Sequence, residues 1–208
     1  AVIPSTLITI SFYPALSKMF KESKEKCKSA WSYYAESMIM LATPITVGGF
    51  FLSSQIIGAM YGPNFAPSIP ALQILIFSAG IGIFYAPYLT VLIVANQQKR
   101  YLWVNIVAAI INIVLNLVLI PIYGLYGAAI ATVITYLAIL FGSLIYFKKI
   151  TSFPFLSPKL LYVMAITVIS SLIMAIAISQ LLMYNFGTIF ILDSIKIAFI
   201  SCTHLNLG

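Results

Sequence analysis

Apolar residues run through this chain in long unbroken blocks, separated by short polar passages. Five blocks, 37–60, 69–95, 101–120, 125–147 and 160–183, each hold 18 or more largely apolar residues. That is the length of a membrane-crossing helix, because about 20 residues at 1.5 Å rise span a hydrocarbon layer near 30 Å. A membrane β-strand would alternate over about ten residues, and none of the blocks alternates. The pattern predicts an all-α fold, a polytopic transmembrane helical bundle. It divides the chain into 1–16, the end of a truncated helix; 17–36, an amphipathic connector; 37–150, a four-helix unit; and 160–208, additional C-terminal helices of which the last is incomplete. The first residue is Ala1, and 1–16 lacks the basic start and small-residue cleavage site of a signal peptide. The tail is interrupted by Asp193 and Lys196 and ends in "SCTHLNLG".

Composition strengthens this reading. Hydrophobic residues make up 62% of the chain and charged residues 7%, where a soluble chain carries about 25% charged. The net charge of +7 would fit a nucleic-acid partner, but its distribution excludes one. Lys18, Lys21, Lys24, Lys26 and Lys28 share one loop, Lys99 and Arg100 a second, and Lys148, Lys149 and Lys159 flank a third. The loops between, "YGPNFAPS" (61–68), "PIYG" (121–124) and "YNFG" (184–187), are uncharged. Ten of the eleven basic residues thus fall on alternate loops, the positive-inside arrangement of a multi-pass protein in a cytoplasmic membrane. Cys27 falls in a reducing compartment, which argues against a disulfide with Cys202, and no metal-ligand cluster surrounds His204. From 37 to 183 there is no Asp, Glu or His, so no acid–base pair, catalytic constellation or cofactor motif emerges, and the chain does not read as an enzyme.

Within the blocks, individual residues carry further expectations. In 17–37, Phe20, Cys27, Trp31 and Tyr34 recur at helical spacing, which predicts an interfacial helix with Trp31, Tyr33 and Tyr34 at headgroup level. Pro44 interrupts the first span, and Gly80, Gly82 and Pro87 interrupt the second; these four are hinge candidates, with a static kink as the alternative. Asn105, Asn112 and Asn116 share one face of the third span. Amides do not favour lipid, so this face meets either another helix or a polar cavity. Gln73, Ser53, Ser54, Asn112 and Asn116 are the candidate cavity-lining residues. Pro121 ends the third span, and Gly124 and Gly127 permit a tight turn. Gly124, Ala128, Ala131, Thr135, Ala138 and Gly142 then follow a 3.6-residue period and draw a small-residue stripe along the fourth span, the usual basis of close helix packing in lipid.

Four stretches resemble a known family. "FYPALSKMF" (12–20), "ATPITVGGFF" (42–51), "IIGAMYGPNFAPSIPALQIL" (56–75) and above all "NIVLNLVLIPIYGLYGAAIAT" (112–132) are similar to the C-terminal half of Wzx-type polysaccharide-biosynthesis flippases. These belong to the multidrug/oligosaccharidyl-lipid/polysaccharide exporter superfamily, with MATE antiporters and lipid II flippases. The likeness covers about residues 5–150, and 160–183 would be a thirteenth helix. It implies one C-terminal lobe of a MATE-like two-lobed transporter, whose partners would be membrane lipid, a polyprenyl-linked glycan substrate and the N-terminal lobe of the same protein. It implies alternating access. A lipid diphosphate wants Arg or Lys, and Lys99 and Arg100 at the cytoplasmic mouth are the candidate headgroup contacts, assisting entry at most while the main phosphate clamp lies in the other lobe. Two other readings stand beside it, a MATE-like cation-coupled exporter of small molecules, which usually needs an intramembrane carboxylate, and a non-transporting membrane scaffold subunit.

Overall fold

A computed structural model describes residues 2–205 apart from 152, 155 and 156, with side chains described over 7–151, 153–154 and 157–181. The apolar blocks fold into helices, in the order α1 (Val2–Glu22), α2 (Lys24–Phe51), α3 (Ser53–Tyr61), a 3-10 turn (Pro63–Ser68), α4 (Ile69–Val94), α5 (Gln98–Tyr123), α6 (Leu125–Ile150) and α7 (Pro158–Leu205). There is no strand among the described residues. Four helices are long and apolar enough to cross a membrane, and α2 with α3 makes a fifth such span, bent by 66°. α4 packs on both α2 and α6, α5 lies outside α6, α7 lies outside α2, and α1 crosses α2 and α4.

The first span bends at Leu52, where neither Pro nor Gly stands. Ser53 Oγ donates to the carbonyls of Gly49 (2.7 Å) and Phe50 (2.9 Å), competing with the backbone ladder in the way that bends helices. Pro44 and Pro87 lie inside continuous helices. The Thr43 and Thr46 hydroxyls donate to the Ile39 and Ala42 carbonyls, and neither replaces the donor that Pro44 removes from the Met40 carbonyl.

Three expected boundaries move. The connector over 17–36 is no separate element: α1 and α2 meet at Ser23 and share it. Its charges suggested a surface segment, yet the apolar face formed by Cys27, Trp31 and Tyr34 is buried in the main core with Met38, Tyr88 and Phe147; of the aromatic trio placed at headgroup level, Tyr33 alone is exposed. Pro121 does not stop α5, which runs on to Tyr123 and ends at Gly124. "YNFG" (184–187) is no turn, because α7 is helical from Pro158 to Leu205; one glycine costs a helix only about 1 kcal/mol.

The α5–α6 hairpin explains its glycines. Gly124 adopts φ 55°, ψ −128°, a conformation that side chains resist. A methyl group on Gly127 would strike the Leu119 carbonyl. Two members of the expected stripe meet α5: Thr135 bonds Asn112, and a methyl on Gly142 would press on Val104 at 3.2 Å.

Candidate functional site

Two ends of the bundle differ in chemistry. At one end Trp31 stacks near Phe147 (4.7 Å between ring centroids), Tyr88 (5.5 Å) and Phe153 (6.5 Å), closing α2, α4 and α6 over one another. The basic residues gather around this plug: Lys159 reaches Glu36 at 3.0 Å, and Arg100 and Lys149 lie over Tyr146. At the other end the uncharged 61–68 passage meets the start of α6, with the Tyr126 hydroxyl donating to the Pro67 carbonyl at 2.9 Å. The alternation of charge along the sequence is therefore a division between two ends in space.

The five candidate cavity residues separate into two places. Ser53 and Gln73 serve the bend, the Gln73 amide approaching the Phe50 carbonyl at 3.5 Å; Ser54 is exposed and donates to Gln55. Asn112 and Asn116 line a groove of about 370 Å³ on α5 with Ile113, Leu117, Ile120 and Pro121. There a polar ladder crosses between helices: Asn116 Nδ2 donates to the Asn112 carbonyl and to Asn112 Oδ1, Asn112 Nδ2 donates to Thr135 Oγ1 at 3.0 Å, and Thr135 donates to the Ala131 carbonyl. The interhelical reading accounts for Asn112, and Asn116 extends it toward the groove. Asn105 donates only to the Tyr101 carbonyl, within its own helix.

Three of the four hinge candidates are tightly placed, and the fourth, Pro44, is half-buried. A methyl group on Gly80 would meet the Thr46 hydroxyl of α2, and one on Gly82 would come within 2.8 Å of the Tyr136 ring of α6. Pro87 is fully buried. Lys99 is exposed, whereas Arg100 is held 5.7 Å above Tyr146.

Two features escaped the sequence. Glu36 precedes the first apolar block by one residue and is buried, held by Lys159 and by Ser32, whose hydroxyl donates to it at 2.9 Å. A hydroxyl relay joins Thr9, Tyr34 and Thr90 at 2.8 and 3.3 Å, tying α1, α2 and α4 together. The legible signal for Glu36 was its register with Ser32, four residues earlier on the same helix.

Comparison with known proteins agrees with this architecture. The chain is similar to an uncharacterized membrane protein of Methanocaldococcus jannaschii, 26% identical over 162 residues that cover 76% of this chain and 31% of that protein. It is also similar to the probable low-salt glycan biosynthesis flippase Agl15 of Haloferax volcanii, 25% identical over 136 residues that cover 64% of this chain and 28% of that protein. With these relatives and four to five spans, one conclusion is firm. This is an integral membrane protein. The chain spans about a third of the length of the curated relatives it matches. No family model matches it, and no solved structure does.

Proposed function

We propose that this chain is the C-terminal lobe of a Wzx-type flippase, which moves a lipid-linked oligosaccharide or polysaccharide precursor across the cytoplasmic membrane by alternating access. The observation that carries the reading is its similarity to a probable glycan biosynthesis flippase over most of its length, added to the resemblance of 112–132 to the family's helical hairpin. In this reading the basic end faces the cytoplasm, as the positive-inside rule requires, and a second lobe completes the transport path. Membrane transporters built from paired repeats rock one bundle against the other around such a path. The chain acts as a transporter and not as an enzyme.

The chemistry of the spans favours a neutral polar cargo. Between 37 and 183 the sequence offers amides and hydroxyls but no carboxylate, which suits glycan hydroxyls better than a cationic drug. A cation-coupled exporter would need an acid free to bind its ion, and buried Glu36 is already engaged by Lys159 and Ser32. The test is complementation of a host lacking its own polysaccharide flippase with the full-length gene, scoring surface glycan and drug resistance together. Restored glycan supports the flippase; drug resistance without glycan overturns it in favour of the exporter.

A further inference from the structure

We propose that Arg100 and Lys149, gathered on the Tyr146 ring, form a binding site for the phosphate of an anionic phospholipid headgroup at the edge of the bundle. The Arg100 guanidinium lies 5.7 Å and the Lys149 ammonium 5.9 Å from the centre of that one ring. A tyrosine face attracts a cation, but it neutralises none of the charge. Neither side chain has a carboxylate partner among the described residues: the ion pairs there are Lys18–Glu22 and Lys159–Glu36. Exposed Lys148 and Lys99 stand next to them in sequence and add to the field. The ring that gathers them is itself fixed, because Tyr146 packs with Tyr85, Tyr101 and Ile150 on a small core of Leu89, Leu92, Val104, Ala108 and Ile139. Two cations are thus held on a rigid aromatic base, and an anion is what the site lacks.

Position identifies the anion. α5 packs mainly on α6, and beside Arg100 it exposes Leu102 and Trp103, the latter 61% accessible. Tryptophan at a helix end marks the headgroup level, and the apolar face continues along α5 through Ile106, Ile110 and Ile113. A phosphate drawn to these two cations would leave its acyl chains beside that face. Arginine suits the task, since its planar fork can give two hydrogen bonds to one phosphate.

The probe is dioleoyl-phosphatidylglycerol, compared with dioleoyl-phosphatidylcholine, titrated onto the full chain in detergent and read by native mass spectrometry. Phosphatidylglycerol should be retained in preference. R100Q/K149Q should weaken it roughly thirtyfold, from about fivefold for each cation at a lipid surface. K26Q/K28Q, which removes equal charge from the first basic segment, should bind as the parent does. Independently of any variant, phosphatidylglycerol carrying a photoreactive headgroup should crosslink within 96–103 or 145–151. Equal retention of the two lipids, parental binding by R100Q/K149Q, an equal loss in K26Q/K28Q, or crosslinks concentrated at 18–28 would each overturn the site.

Discussion

Gly80→Ala tests how α2 and α4 fit together. The added methyl would land on the Thr46 hydroxyl, which already donates to the Ala42 carbonyl at 2.7 Å. Thr46 must then turn away and drop that bond, or α4 must back off α2, where the α2–α4 contact is one of the largest in the bundle. Overpacking of this kind costs about 1–3 kcal/mol, and the lost membrane hydrogen bond adds about 0.6 kcal/mol. A destabilisation near 2 kcal/mol is expected, roughly a thirtyfold change in the folded-to-unfolded ratio. Thr46→Ala alone should cost about 1 kcal/mol, through the same bond and a little packing. In Gly80→Ala/Thr46→Ala the new methyl enters the space that Thr46 vacates and replaces a helical glycine, so the double variant should be no less stable than Thr46→Ala. The coupling energy should then be at least about 1.5 kcal/mol, well above the additive limit for independent sites. Reversible unfolding in mixed micelles, followed by circular dichroism, measures all four proteins. An unperturbed Gly80→Ala, or a double variant whose loss is the sum of the two singles, would refute the close approach and return Gly80 to the role of a hinge.

At the hairpin, Gly127→Ala sets a methyl against the Leu119 carbonyl and should cost about 3 kcal/mol or more. Gly124→Ala meets open space and pays only for its strained backbone, about 1–3 kcal/mol; the same micelle unfolding ranks the two, and the reverse order would contradict the hairpin geometry. Lys159→Met strands buried Glu36 with Ser32 as its remaining partner and should lower the thermal midpoint, whereas Lys159→Arg should hold it. In the full-length protein, Pro87→Ala should leave expression intact and impair export if α4 changes its bend during transport; normal export would make Pro87 a passive kink. On a background lacking Cys202, Ser23→Cys should resist and Asn64→Cys should accept an impermeant maleimide on intact cells, with native Cys27 silent because it is buried; labelling at 23 but not 64 would reverse the orientation.

The spans and the hairpin were legible because hydrophobic length and a 3.6-residue period are local properties. Gly124 to Gly142 could be read as a packing stripe before its partner was known, and the structure supplies Asn112 and Val104 as that partner. Residues 17–36 misled for the opposite reason. Their charges dominate the average, while the buried face of Cys27, Trp31 and Tyr34 is set by what α1, α4 and α6 bring to it. The bend at Leu52 was hidden because no breaker residue stands there; the backward bonds of Ser53 accompany it. Gly80 and Gly82 were seen as special, but the sequence does not say whether a helical glycine serves motion or contact; that depends on Thr46 and Tyr136, which are distant along the chain. The amides divided similarly, Asn112 and Asn116 joining α6 and a groove while Gln73 and Ser53 went to the bend.

The most direct test of the flippase reading is transport by the purified full-length protein in sealed proteoliposomes. A fluorescent polyprenyl-diphosphate oligosaccharide is placed in both leaflets, and a membrane-impermeant reagent that modifies its sugar reports how much can reach the outside. With the protein present, the modified fraction should rise from about half toward completion, while a labelled phosphatidylcholine control stays near half. A modified fraction that stops at half with and without protein would contradict the account.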